Sequence, residues 1–311
     1  MNRNKKIIST ILIMMAIAIG FVGWGFFDAK ELGVNFFEEK VQNVAIKSED
    51  DITEMGLSFH NNVCTLENDI VIKNSTSLAT RELPFVGEFD GKGHKITFTG
   101  DVENSLFGYI GEGGVVKNLH IEVGSADISE KSAAILALEN SGTIINCKIT
   151  VKAAKVSVGG NHGAVVATNK GLIKNVVVKS KFENAVGEGV SRRSIIGGVA
   201  AYNYGDIESC FCDTSFDSFP ETVKSNIFNG TAVNSSVGAV YGVNNGSVRK
   251  CVAIVGDETY VSDNKNSNIT LVTEANRVEV FNEENIFGAL GFDSELWIYL
   301  DNEFSLIQGE G

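Results

Sequence analysis

A hydrophobic content of 43% over 311 residues supplies a real core and excludes wholesale disorder. A net charge of −13 excludes nucleic acid as a natural partner, since neutralising phosphates takes clustered Lys and Arg. Thirty-three glycines against two prolines allow many tight corners while sparing a long backbone ladder from missing donors.

The chain opens with Arg3, Lys5 and Lys6, followed by an uncharged run from Ile7 to Phe27. Such a run is long enough to cross a bilayer as a helix, and the positive flank keeps its own side cytoplasmic. Residues 1–27 are therefore expected to be a signal anchor, or a signal peptide if cleaved, with everything after Asp28 on the extracellular side of the membrane. The cleavage patterns at Ala18–Gly20 and Gly23–Gly25 are mediocre, which favours the anchor. Residues 28–47 then read as a stalk.

Residues 48–84 read as an N-terminal cap. "SEDDITEM" from Ser48 has the form of an N-capped helix with acids in its first turn, and "CTLENDIVI" from Cys64 that of a first strand.

From residue 85 to 256 the chain repeats itself. Five stretches superpose on Gly114, Gly142, Gly171, Gly205 and Gly246. Two residues on stand Val116, Ile144, Ile173, Ile207 and Val248; five on, Leu119, Cys147, Val176, Cys210 and Cys251; seven on, Ile121, Ile149, Val178, Cys212 and Ala253. Offsets five and seven alternate as in a strand, whereas the step of three between two and five predicts a corner. Asn118, Asn146 and Asn175 fall at that corner, where Asn tolerates bent backbone and can stack in amide ladders. Glu112, Asn140, Asn169, Asn203 and Asn244, two residues before each glycine, predict a second set of corners. Each repeat is too short for its own core, so neighbours must bury one another. The expected fold is all-β, a parallel β-helix, with short caps at its ends. Residues 257–311 read as a long loop and a C-terminal cap, in which "NEENIFGALGFDSELWIYL" gives a helix, a stop at Gly291 and a strand through Trp297.

Cys64, Cys147, Cys210, Cys212 and Cys251 are too few for a disulfide framework and lack zinc spacing. They read as buried thiols. Cys210 and Cys251 share the inward ladder, close enough for a disulfide but stacked as thiols usually are.

In "GEFDGKGHKI" (Gly87–Ile96), "LFGYIGEGGVVKNLHIE" (Leu106–Glu122), the later coils and "GFDSELW" (Gly291–Trp297), the chain resembles the GLUG-repeat bacterial surface proteins. The resemblance spans roughly residues 45–305 and implies a right-handed coil, as in non-catalytic regions of immunoglobulin A protease-type surface proteins and in adhesins.

No catalytic set, cofactor site or metal site stands out. Asp90 reads first as a turn residue in "FDGKGH", and His162 in "NHG" lacks the paired aspartates a β-helical hydrolase would need. His120, between inward Leu119 and Ile121, should point outward. The basic pair Arg192 and Arg193 and the loop aromatics Phe216, Phe219, Phe228 and Tyr260 form a possible interaction surface, although those rings could equally cover the coils. The expectation is an exported, membrane-tethered surface protein with a structural or adhesive role, meeting a surface protein or glycan partner. The alternative is a polysaccharide lyase or hydrolase working in a groove along the coils.

Overall fold

The glycine-anchored repeats each fold into one turn of a solenoid. In the computed structural model, the described residues are 41–55, 60–73, 77–100, 102, 104–128, 132–156, 160–184, 195–217, 236–254, 267–272, 283–301 and 303–308. Each full coil has four short legs. The first leg is built from Val115–Lys117, Thr143–Ile145, Leu172–Lys174 and Asp206–Glu208. The second holds His120–Val123, Lys148–Val156, Val177–Asn184 and Phe211–Asp217. Shorter strands such as Asn161–Gly163 and Ile195–Gly197 make the third, and Ala137–Asn140, Val166–Asn169 and Ala200–Asn203 belong to the fourth. Like legs of successive coils pair in parallel, so the chain is a parallel β-helix.

The three apolar offsets are the inner columns. Val116, Ile144, Ile173, Ile207 and Val248 lie directly opposite one another in register, each 0–1% exposed. Phe89 and Cys64 extend that column toward the N-terminus. The larger aliphatic side chains in it each contribute roughly 1.5–3 kcal/mol through burial. All five cysteines are buried and carry free thiols; burial pushes Cys64 and Cys147 up to about 12.

The corner lies where the step of three predicts it. Asn118, Asn146 and Asn175 take φ of 51°, 54° and 54°, a left-handed conformation that Asn adopts more readily than most residues. Ser209 and Lys250 occupy the same corner in the next coils at 55° and 52°. Asn146 Nδ2 donates to Asn118 Oδ1 at 3.3 Å and Asn175 Nδ2 to Asn146 Oδ1 at 3.1 Å. Asp90 opens the ladder by accepting from Asn118 Nδ2 at 3.0 Å and from the Lys92 amide at 2.9 Å.

A second ladder runs inside the other corner. Asn140 donates to Asn169 at 2.8 Å, Asn169 to Asn203 at 2.8 Å, and Asn203 to Asn244 at 2.7 Å. Glu112 does not join it. Ile110 stands opposite Asn140, and Glu112 sits in a turn that is longer in this coil. The repeated glycine has a steric cause: a Cβ on Gly142, Gly171, Gly205 or Gly246 would strike the carbonyl oxygen of the glycine one coil earlier.

At the N-terminal end, Asn43–Ile46 pairs with Val63–Leu66, so the first coil begins within the stretch read as stalk. Helix α1 (Glu49–Met55) follows, and Asp51 Oδ2 accepts from the Ser48 amide at 2.9 Å while its helix buries Ile52 in the core. Helix α2 (Glu283–Leu290) ends at Gly291, whose φ of +67° and amide bond to Phe287 O at 2.7 Å form a left-handed cap. Its hairpin, Trp297–Leu300 with Glu303–Leu306, packs on the outside of the second leg. There Ile286, Leu290, Phe292, Trp297, Tyr299 and Phe304 form a second core with the outward-facing Val177, Phe211 and Val252. The tail runs on along the flank, placing Gln308 Nε2 3.4 Å from Asp69 Oδ1 beside the first coils.

Candidate functional site

Residues at offsets six and eight from each glycine point away from the inner columns, and on the second leg they form a surface of their own. At offset six, His120 and Lys148 are paired in register. At offset eight come Glu122, Thr150, Lys179 and Asp213, also in register. The C-terminal hairpin stands beside them and lends Glu303 as a wall. The result is a polar groove of about 470 Å³ that crosses successive coils.

Most of the charge in this groove is paired. Glu122 bridges Lys95 at 3.1 Å and Lys152 at 3.0 Å, which holds its carboxyl below the usual range. Lys179 bonds Glu303, lowering the acid and raising the amine. Lys181 reaches Asp217 at 2.7 Å and Glu183 at 3.1 Å.

Lys148 differs from these. It is only 9% exposed, lines the groove, and its side chain makes no hydrogen bond or ion pair among the described residues. Burial lowers its amine; attraction by Glu303 and Glu122 works against this, and repulsion by Lys179 and Lys95 adds to it. His120 beside it is pushed down to about 4, chiefly by burial and next by Lys148, so its ring is neutral at physiological pH. Its Nε2 lies 3.5 Å from Thr150 Oγ1.

His120 does face outward, as its place between Leu119 and Ile121 predicts, but it is half-buried on a groove floor. His162 is fully buried, and Asp90 is held in the corner ladder. Among the interaction candidates, Phe216 is buried and stacked on Phe182 with centroids 5.8 Å apart and planes 13° apart. It is part of the second leg and belongs to the inner core of the coils. Arg192, Arg193, Phe219, Phe228 and Tyr260 lie outside the described residues. The groove lysines and Glu122 were legible only as outward members of the repeat, and nothing in sequence brings Glu303 to them. Among the described residues no His, Cys, Asp and Glu cluster could hold a metal ion.

Comparison with known proteins gives a fold likeness. No family model matches the chain, and no curated protein matches it. The chain is similar in structure to a crystal structure described as a candidate immunoglobulin A1 protease from Bacteroides ovatus. The two share 17% identity and a TM-score of 0.54, covering 88% of this chain and 94% of the other. The likeness is one of fold alone, and it is the parallel pairing of its own successive legs that puts the chain in the class of β-helical proteins.

Proposed function

We propose that this is an exported, membrane-tethered β-helical surface protein whose role is interaction or structure rather than turnover. The observation that carries the reading is the continuous hydrophobic core: long inner columns and two amide ladders make a rigid stack, on which the described ionisable groups are mostly bound in ion pairs. The basic flank and apolar run of residues 3–27 support export and tethering, and the GLUG-like motifs support a right-handed coil and a surface role. No described helix is long and apolar enough to cross a membrane, and the apolar run lies outside the described residues. Protease treatment of intact cells tests the topology. Release of fragments from beyond Asp28 is the expected result, and full protection without permeabilisation overturns it.

A second reading, a polysaccharide-active enzyme, is favoured by one observation: His120 and Lys148, both shifted by burial, lie together in a groove that also holds Glu122 and Glu303. Reducing-end and unsaturated-uronate assays on acidic glycans decide it. Turnover abolished by Lys148→Met establishes this reading, and no turnover retires it.

A further inference from the structure

We propose that the groove on the second leg binds an oligosaccharide bearing an oxyanion, with Lys148 Nζ as the group that receives the negative charge. This rests on the interaction reading above and names its ligand class.

Lys148 is largely buried as a residue while its amine still opens to the groove, and a charged amine that is partly desolvated and unpaired is costly. The other groove lysines have carboxylates within 3.1 Å or closer, and Lys148 has none within ion-pair range among the described residues. An oxyanion entering from the open side supplies the missing partner and forms a charge-assisted hydrogen bond in a partly dry site. Burial already lowers the Lys148 amine, and a bound anion would oppose that shift by favouring the charged form.

The rest of the lining selects for a saccharide. Thr150 and Ser215 offer hydroxyls, while Glu122, Asp213 and Glu303 offer acceptors for sugar hydroxyl groups. Apart from Val151, the groove has no apolar anchor. Its floor is the face of a sheet, so no free strand edge is present there for an extended peptide to join. A strongly polyanionic ligand would meet those three carboxylates, so the fit is one oxyanion per several sugar units. The groove crosses successive coils, which are spaced about 4.8 Å apart, and so suits a linear chain of a few sugars.

The test uses the full chain in detergent and titration calorimetry with four probes. These are a trigalacturonate, a sulfated galactose trisaccharide, the neutral galactose trisaccharide and a short polyglutamate peptide. Binding of either charged saccharide at least tenfold tighter than the neutral one, lost at least tenfold in Lys148→Met, is the expected result. Comparing the two charged saccharides tells carboxylate from sulfate. Millimolar titrations without binding, an affinity unchanged in K148M, or preference for polyglutamate overturns the proposal. Should K148M not fold, the wild-type ratio decides, and less than threefold between charged and neutral trisaccharides overturns it. Cell-surface proteolysis judges the topology separately, so failure here leaves that reading standing.

Discussion

Asn169 donates its side-chain amide to Asn203 Oδ1 at 2.8 Å, with both residues completely buried. The same Nδ2 lies 3.2 Å from Gly171 O and 3.3 Å from Asp206 O. One amide therefore ties two coils and satisfies backbone that turns inside the core. Asn169→Ala leaves the Asn140 donor and the Asn203 acceptor facing a void. We expect a loss of about 2–4 kcal/mol, since each buried group left unpaired costs about 1–3 kcal/mol. Urea unfolding checks this; a change below about 0.5 kcal/mol would show that water replaces the amide freely.

The stacked glycines make a sharper contrast. Gly205 needs no unusual φ, and its constraint is space, because a Cβ would land on Gly171 O in the preceding coil. Gly288 sits in α2 with nothing within 4 Å of its notional Cβ. Gly205→Ala must push two coils apart and should cost about 1–3 kcal/mol, the range for overpacking. Gly288→Ala should stabilise by up to about 1 kcal/mol, since Ala is the better helix former. Opposite shifts in melting temperature are the expected readout, and shifts of like sign would refute the steric account.

The inner columns were legible because the solenoid repeats its offsets: Ile144, Ile173 and Ile207 share one position in sequence and one column in space. The corner was legible through Asn118, Asn146 and Asn175, but Ser209 and Lys250 adopt the same conformation without Asn, held by the coils on either side. Glu112 misled for a local reason. A longer turn lets Ile110 take the register opposite Asn140, so counting back from the glycine lands two residues off. The groove was hidden because its walls come from distant chain: Lys179 and Glu303 are 124 residues apart. Outward apolar Val177, Phe211 and Val252 did carry a signal, since three apolar residues on a solvent face of a solenoid call for a cover.

That cover makes its own prediction. Trp297 is 1% exposed, stacks on Phe292 with centroids 5.0 Å apart, and meets Phe304 edge-on at 6.2 Å. Trp297→Ala should cost about 3–5 kcal/mol as a large core truncation. It should also raise dye binding as the outward face of the second leg is uncovered. Lys179→Ala removes a half-exposed ion pair between the same hairpin and the coils and should cost only about 0.2–1 kcal/mol. If the lysine change proved the larger, the flank would be held by charge rather than by apolar packing.

His120 gives the solenoid an acid sensitivity whose sign follows from its displaced ring. Its ordinary value is 6.5 and in the folded chain about 4, with burial the main cause and Lys148 and Lys95 next, against smaller opposing effects of Glu122 and Asp69. The unfolded chain thus takes up the proton first as pH falls. At pH 8 neither state is protonated and the group contributes nothing. Between about 6.5 and 4 the unfolded state gains a proton that the folded state refuses, so stability is lost across that window and the loss levels off below it. At pH 4.5 the penalty should be about 2–3 kcal/mol, from 1.36 kcal/mol per unit of displacement. Carboxylates such as Glu122 and Glu303, held low by lysines, lose their own contributions in the acid range, so the absolute curve is a composite. The informative quantity is the difference between wild type and His120→Gln, measured by urea unfolding at pH 8 and 4.5. Wild type should lose about 2–3 kcal/mol more than the variant between these two points, whereas parallel pH curves would mean that the ring accepts its proton in place.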